Sequence, residues 1–285
     1  MRLCRFNENR IGLVEGDALK DVTSVLERLP AHRYPLPRHD PLIASLAMLR
    51  PAIEAAAKRA KPTALADIAL LSPVANPGKV VAAPVNYAAH LKEVLNDPGI
   101  HHDQLVNEIH KAGVFLKAPS SVVGPSQGVK LRFPDRRNDY EVELAVVIGK
   151  AASRVAAKEA LAHVAGYTIG LDMTLRGPEE RSLRKSIDSY TVFGPWLVTA
   201  DEIPDPGALD LALEVNGELR QQANTRDLIL SVPTLIAFVT SFYTLHPGDV
   251  LMTGTPQGVG PVRPGDVMTA RIERIGEMVV RVGAA

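Results

Sequence analysis

The sequence predicts a mixed α and β protein with a mostly β core, and three observations carry that reading. Short β-branched and apolar runs recur along the chain, Asn216-Gly217 sits between two of them as a hairpin turn, and few segments show a helical period. With 285 residues, 46% of them hydrophobic, the chain can bury a substantial core.

Taken in order, residues 2 to 25 read as short strands around a turn at Glu15-Gly16-Asp17, with Ile11, Leu13 and Val14 as the apolar positions before it. Residues 41 to 60 place Leu42, Ile43, Leu46, Leu49 and Ile53 at helical spacing, and Pro62, Pro73 and Pro77 punctuate a linker after them. A boundary near residue 75 then separates a small N-terminal domain, 1–74, from a larger domain, 75–285. The larger part opens with an apolar strand over 80 to 83 and a short helix over 87 to 95. A polar, histidine-containing segment over 96 to 111 reads as a mobile loop or short helix. Strands follow near 114 to 117 and 140 to 149, a helix near 156 to 163 and a strand near 166 to 172. Another strand covers 211 to 216 and turns at Asn216-Gly217 onto 218 to 221. Pro233 opens a helix whose Leu235, Ile236, Phe238, Val239 and Phe242 form a packing face, and glycine-rich turns with short strands close the chain.

Composition excludes several functions. The 32 basic residues balance 32 acidic ones and no basic tract carries interleaved aromatics, which argues against nucleic-acid binding. The single cysteine, Cys4, rules out an intrachain disulfide and a cysteine-rich zinc site, and fits a reducing compartment. No apolar signal core opens the chain and no stretch reaches the roughly 18 apolar residues of a membrane span, so a cytoplasmic setting is expected.

The chemistry concentrates in Asp139-Tyr140-Glu141-Val142-Glu143-Leu144, which runs into Ala145-Val146-Val147-Ile148. Acids at i and i+2 lie on one face of a strand, where two unpaired carboxylates repel one another and favour a bound cation. Asp172, at the end of the apolar Tyr167-Thr168-Ile169-Gly170-Leu171, is the best third ligand. An all-carboxylate set favours Mg²⁺ or Mn²⁺ over zinc and leaves about three positions for water and substrate. The alternative is a solvated strand face on which Glu141 and Glu143 pair with Arg136, Arg137 or Lys150.

His90 and Glu93 lie i,i+3 on the short helix after Asn86-Tyr87, so they share a face and can act as a pair that activates water as a general base. A surface histidine with a helix partner is the plainer alternative. His101, His102 and His110, with Asp103 and Glu108, match no regular metal-ligand spacing, and a solvated lid accounts for them better. Lys117 and Lys185 are candidate holders of a substrate carboxylate. The turn Thr253-Gly254-Thr255-Pro256-Gln257-Gly258-Val259-Gly260 offers amides and hydroxyls to an anionic group, or simply connects two strands. It has neither a Walker ending nor G-x-G-x-x-G spacing, and the chain lacks both a G-x-S-x-G elbow and H-E-x-x-H.

In order along residues 78 to 269, the chain resembles the fumarylacetoacetate hydrolase family. The resemblance rests on Asn86-Tyr87-Ala88-Ala89-His90, Phe115-Leu116-Lys117, the acidic stretch Asp139 to Leu144, Gly166-Tyr167 with Asp172-Met173-Thr174, Lys185-Ser186-Ile187-Asp188, Gly194-Pro195-Trp196, Val215-Asn216-Gly217-Glu218 and the run 245 to 260. It implies a mixed, mostly β fold of the β-sandwich roll type with a small N-terminal α+β domain, a homodimer, and Mg²⁺ or Mn²⁺ held by Glu141, Glu143 and Asp172. It also implies chemistry on 2-oxo acids and 1,3-dicarbonyls. His90 with Glu93 would activate water, Lys185 and Thr255 would hold substrate oxygens, and Lys117 and Gln221 are further candidates. An acylpyruvate-type hydrolase, acting on fumarylpyruvate or acetylpyruvate, is the expected activity. A decarboxylase or keto-enol isomerase using the same site is the alternative, and a non-catalytic metal-binding homologue a more distant one. The chain departs from the family pattern at Gly177, where an aspartate is usual, at Val192-Phe193, where a proline is usual, and at Ala83-Pro84-Val85.

Overall fold

The computed structural model describes residues 1–101 and 107–285. The longest apolar runs form the middle of a 12-stranded sheet. There Val142–Ile148 lies antiparallel between Val164–Asp172 and Val250–Met252. Val250–Met252 pairs in parallel with Val80–Ala82, which pairs in turn with Phe115–Lys117. On the other side, Thr191–Thr199 joins Val164–Asp172 to Arg2–Phe6, with Arg2 opposite Val198.

Strand periodicity explains how this sheet becomes the middle of the molecule. Leu144, Val146 and Ile148 face one core, shared with Leu211, Leu213, Met268 and Val280 of a five-stranded second sheet. Ala145 and Val147 face the other, shared with Ile43, Leu46, Leu49 and Ile53 of the helix Pro41–Ala57. That helix starts where the sequence places it, because Asp40 Oδ1 accepts from Ile43 N at 3.0 Å and Pro41 suits the first turn. Both sides of Val142–Ile148 are therefore dry, and all seven of its residues are buried. The N-terminal strands extend the main sheet through Arg2–Phe6 and do not form a sheet of their own.

Two elements differ from the sequence reading. The strand expected over 140 to 149 is broken: Asn138–Tyr140 belongs to a small sheet with Thr174–Leu175 and Gly260–Pro261, and Val142–Ile148 to the main sheet. Glu141 is the residue at which the chain changes sheets. Thr191–Thr199, buried throughout, is a strand that the sequence reading did not assign, since Gly194 and Pro195 within it argue against a central strand. The partner strand accommodates them with a register shift between Tyr167 and Ile169, and Thr168 Oγ1 donates to Gly194 O at 3.0 Å. The hairpin at Asn216-Gly217 forms as expected, with φ of 54° and 80°, the left-handed pair that a tight two-residue turn demands. Among the described residues no helix is long and apolar enough to cross a membrane.

Candidate metal centre and active site

Glu143 stands opposite Gly170 in the central strand pair, Asp172 ends the neighbouring strand, and Asp172 N donates to Glu141 O at 2.9 Å. The change of sheets thus carries Glu141 over the strand end. One carboxylate oxygen from each of Glu141, Glu143 and Asp172 lies within 4.8 Å of the others, and all three residues are buried. The solvated-face alternative, with pairing to Arg136, Arg137 or Lys150, does not describe this geometry.

Buried cations surround the triad. Lys185 Nζ donates to Glu141 Oε2 at 2.7 Å, Asp172 Oδ2 at 2.8 Å and Thr174 Oγ1 at 2.7 Å. Lys117, fully buried, donates to Asp172 Oδ1, to the Lys185 carbonyl and to Tyr190 O. Arg176, which sequence reasoning passed over, donates to Glu141 Oε1 and Asp139 Oδ2, both at 2.8 Å. Burial opposes the charge on Glu141, but Lys185, Arg176 and His90 outweigh it and bring its pKa down to about 2. Glu143 goes the other way: burial first, then the negative charges of Asp172 and Glu141, push it well above the usual carboxylate range.

That opposition is the test of fit for a divalent metal. Among the described residues, the chain's own cations neutralise Glu141 and Asp172 but leave Glu143 with only Gly254 N, at 2.6 Å, and the attraction of Lys185. A hard cation reached by one oxygen from each carboxylate would relieve the strain on all three, and fixed donors occupy only part of their acceptor capacity. The Tyr87 hydroxyl, buried without a hydrogen-bond partner among the described residues, also lies in the field of Glu143. The residues fit Mg²⁺ or Mn²⁺.

The dyad is built from the helix Ala88–Asn96. Asn86 anchors its start, donating to Leu230 O at 3.0 Å and Thr253 O at 2.9 Å and accepting from Leu230 N at 2.7 Å. His90 is buried, and its Nδ1 lies 2.8 Å from Glu93 Oε2. Glu93 Oε1 accepts from Gly258 N at 2.8 Å. The glycine-rich turn therefore does hold anions, and they are the protein's own: Gly254 takes Glu143 and Gly258 takes Glu93. Both glycines sit at φ of 96°, and a Cβ on Gly258 would stand 2.1 Å from Arg220 O.

Thr255 and Gln221 spend their polar groups on the scaffold. Thr255 Oγ1 donates to Val142 O at 2.9 Å and accepts from Gln221 Nε2 at 2.8 Å, while Gln221 also donates to Pro256 O and accepts from Val142 N. At Gly177 a Cβ would stand 2.0 Å from Arg136 Nη2, because the Arg136–Glu179 ion pair fills the space beside it. The expected lid over 96 to 111 is described only in part, with short helices at Pro98–His101 and Ile109–Ala112 and an Asp97–Arg137 ion pair. His102 and Asp103 lie outside the described residues, as does the His101 side chain, while His110 is exposed.

Fold and site together define a metal-dependent enzyme, and the sequence matches the family description Fumarylacetoacetate (FAA) hydrolase C-terminal over residues 79–283. The chain belongs to the fumarylacetoacetate hydrolase family. It is 59% identical over 284 residues, covering 99% of both chains, to a maleylpyruvate hydrolase from Aquipseudomonas alcaligenes. The structure of maleylpyruvate hydrolase from Sphingobium sp. SYK-6, in complex with manganese(II) and pyruvate, superposes with a TM-score of 0.85 at 41% identity over 100% of each chain. An oxaloacetate tautomerase of human mitochondria is 38% identical over 229 residues, 76% of this chain and 70% of that one.

Proposed function

We propose that this chain is a Mg²⁺- or Mn²⁺-dependent hydrolase that cleaves the C3–C4 bond of an acylpyruvate, a 2,4-dioxo acid such as maleylpyruvate, fumarylpyruvate or acetylpyruvate. The observation that carries the reading is the His90–Glu93 pair, 2.8 Å apart and pinned by Gly258, on the same turn that fixes Glu143 of the triad. Glu141, Glu143 and Asp172 would hold the cation, which supplies Lewis acidity to the adjacent oxo and carboxylate oxygens of the substrate. Glu93 fixes the Nδ1–H tautomer of His90, so that Nε2 takes a proton from water as its oxygen adds to C4. The C3–C4 pair then passes to C3, releasing the acyl group as a carboxylic acid and pyruvate as its enolate, which takes up one proton. Lys185, whose three donors go to Glu141, Asp172 and Thr174, holds developing negative charge on substrate oxygen by giving up its Thr174 partner. Lys117 keeps Asp172 in place, and Gln221 with Thr255 keeps the Val142 backbone in place.

Decarboxylation of a 2-oxo acid needs the cation but no attacking water, so the dyad matters less to it, whereas keto-enol isomerisation would use the same dyad as the base for a C–H proton and is separated from hydrolysis by its products. The deciding experiment incubates the Mg²⁺- or Mn²⁺-loaded protein with maleylpyruvate, fumarylpyruvate, acetylpyruvate and oxaloacetate, with products identified by NMR. Pyruvate plus the matching acid is expected. Turnover of oxaloacetate alone, above the rate of free metal, overturns the reading. A cytoplasmic homodimer is the working form we infer, from the buried, unpaired Cys4 and the family resemblance, and light scattering tests the dimer.

A further inference from the structure

The cations around the triad can be accounted for one by one. Lys117 and Lys185 each have three acceptors, Arg176 spans two carboxylates, and Arg137 spans Asp139 and Asp97. Arg184 is tied to the backbone carbonyls of Glu179 and Leu175, and Arg136 to Glu179 and the carbonyl of Arg176. Arg181 is different. It opens the helix Arg181–Lys185, is half-buried, and among the described residues its guanidinium makes no hydrogen bond and no ion pair.

A guanidinium keeps its charge and carries five donors, so leaving it half-buried without an acceptor is unfavourable. Its place is also specific. The guanidinium carbon stands 5.7 Å from the centroid of the Phe115 ring, and Lys185 Nζ stands 5.4 Å from the same centroid. Lys185 in turn touches Glu141 and Asp172, so the free fork lies one aromatic ring away from the triad. Burial pulls the Arg181 pKa down while the charges of Glu141, Glu180 and Asp172 pull it up, which places it within the field of the site.

We propose that Arg181 is the anion clamp for a second carboxylate at the far end of the substrate's acyl group, so that this enzyme's preferred substrates are acylpyruvates that end in a carboxylate. This rests on the hydrolase reading above. The triad's neighbourhood takes the oxo-acid head, and Arg181, beside the same Phe115 ring as Lys185, offers the one unspent planar fork near the triad among the described residues, suited to a bidentate carboxylate. A monocarboxylic acylpyruvate would leave that fork unpaired.

The test compares wild type with Arg181→Gln and Arg181→Lys in the Mn²⁺-loaded protein. The first readout is the ratio of kcat/KM for fumarylpyruvate and maleylpyruvate over that for acetylpyruvate. Loss of a charged hydrogen bond predicts that the ratio falls about 10- to 150-fold in Arg181→Gln, mostly through KM, with partial recovery in Arg181→Lys. The second readout is calorimetric binding of 2-oxopimelate against 2-oxoheptanoate, which differ only in the terminal carboxylate. The wild type's preference for 2-oxopimelate is expected to fall by the same factor in Arg181→Gln. An unchanged ratio and an unchanged binding preference overturn the proposal, and so does an equal loss on both members of each pair, which would make Arg181 a prop for Lys185. If the wild type hydrolyses none of the acylpyruvates, the hydrolase reading fails and the binding pair still decides whether Arg181 selects a second carboxylate.

Discussion

The dyad makes a prediction that separates two substitutions usually treated as equivalent. Glu93 is held at both oxygens: Oε1 accepts from Gly258 N at 2.8 Å and Oε2 meets His90 Nδ1 at 2.8 Å. In Glu93→Gln the single amide oxygen is drawn to the fixed Gly258 N–H, and the amide nitrogen, a donor, is turned toward His90 Nδ1. Two donors cannot face each other, so His90 must carry its proton on Nε2 and lose the lone pair that accepts a proton from water. In Glu93→Ala nothing opposes the Nδ1–H tautomer, and the imidazole loses only its orienting partner. Removing a positioned general base lowers the rate about 10²- to 10⁴-fold, or about 2.7 to 5.5 kcal/mol in the barrier. We therefore expect kcat on an acylpyruvate to fall by that factor in Glu93→Gln and by about tenfold less in Glu93→Ala. The assay is steady-state pyruvate release at saturating Mn²⁺, with calorimetric Mn²⁺ and pyruvate affinities as controls that should stay within about threefold, since neither oxygen of Glu93 touches the triad. Glu93→Gln retaining more than a tenth of wild-type kcat would refute the tautomer argument. Glu93→Ala falling below Glu93→Gln would refute the ordering.

Three further outcomes follow from the same geometry. Arg176→Met removes the shared partner of Asp139 and Glu141 from a buried position, and should destabilise the metal-free protein by about 3 to 5 kcal/mol in chemical unfolding; a change below 1 kcal/mol would show that the carboxylates find other partners. Gly258→Ala places a Cβ 2.1 Å from Arg220 O at a φ of 96°, so kinetics should show a kcat loss comparable to that of the Glu93 variants along with a lowered melting temperature; wild-type kcat would mean that the turn does not position the dyad. Glu143 has a raised pKa when folded, so the metal-free protein binds more protons folded than unfolded and loses stability as pH rises from about 4.5 through that raised value. A divalent cation removes this loss, so the stabilisation by Mn²⁺ should grow with pH by up to about 1.4 kcal/mol per unit across the same window, measured by thermal shift, and a metal effect that is flat with pH would contradict the assignment of Glu143.

Local spacing made much of the site legible. The acid ending an apolar strand and the i,i+3 His–Glu pair each follow from the geometry of one element, while the i,i+2 acids, expected on one face of one strand, are brought together with Asp172 across the break at Glu141. What spacing hid was tertiary. The break at Glu141 has no local signature, because it arises where a strand leaves one sheet for another and hands its carbonyl to Asp172 N. Arg176 reads as one more surface arginine until the fold brings it against Asp139 and Glu141, 37 and 35 residues away. Lys117, read as a holder of substrate, is enclosed by Asp172 and two carbonyls that no window of sequence around it contains.

The glycine-rich turn shows why the two halves of the site keep their spacing. Its amides at Gly254 and Gly258, four residues apart, hold Glu143 of the triad and Glu93 of the dyad, which are 111 and 165 residues away in the chain. The turn follows directly on Val250–Met252, which pairs with the strand that carries Glu143, so its position is set by a fully buried ladder. Its other end is held by Thr255, through Val142 and Gln221. A displacement of the turn must therefore move the carboxylate we propose as a metal ligand and the one we propose to orient the base together, and their relative geometry survives motions that would separate two independent loops. Positive-φ glycine is the residue that lets the backbone come so close to both acids. The sequence reading saw a possible cradle for a ligand there. The structure uses the cradle to set the distance between the place where the substrate's oxygens would be polarised and the place where water would lose its proton.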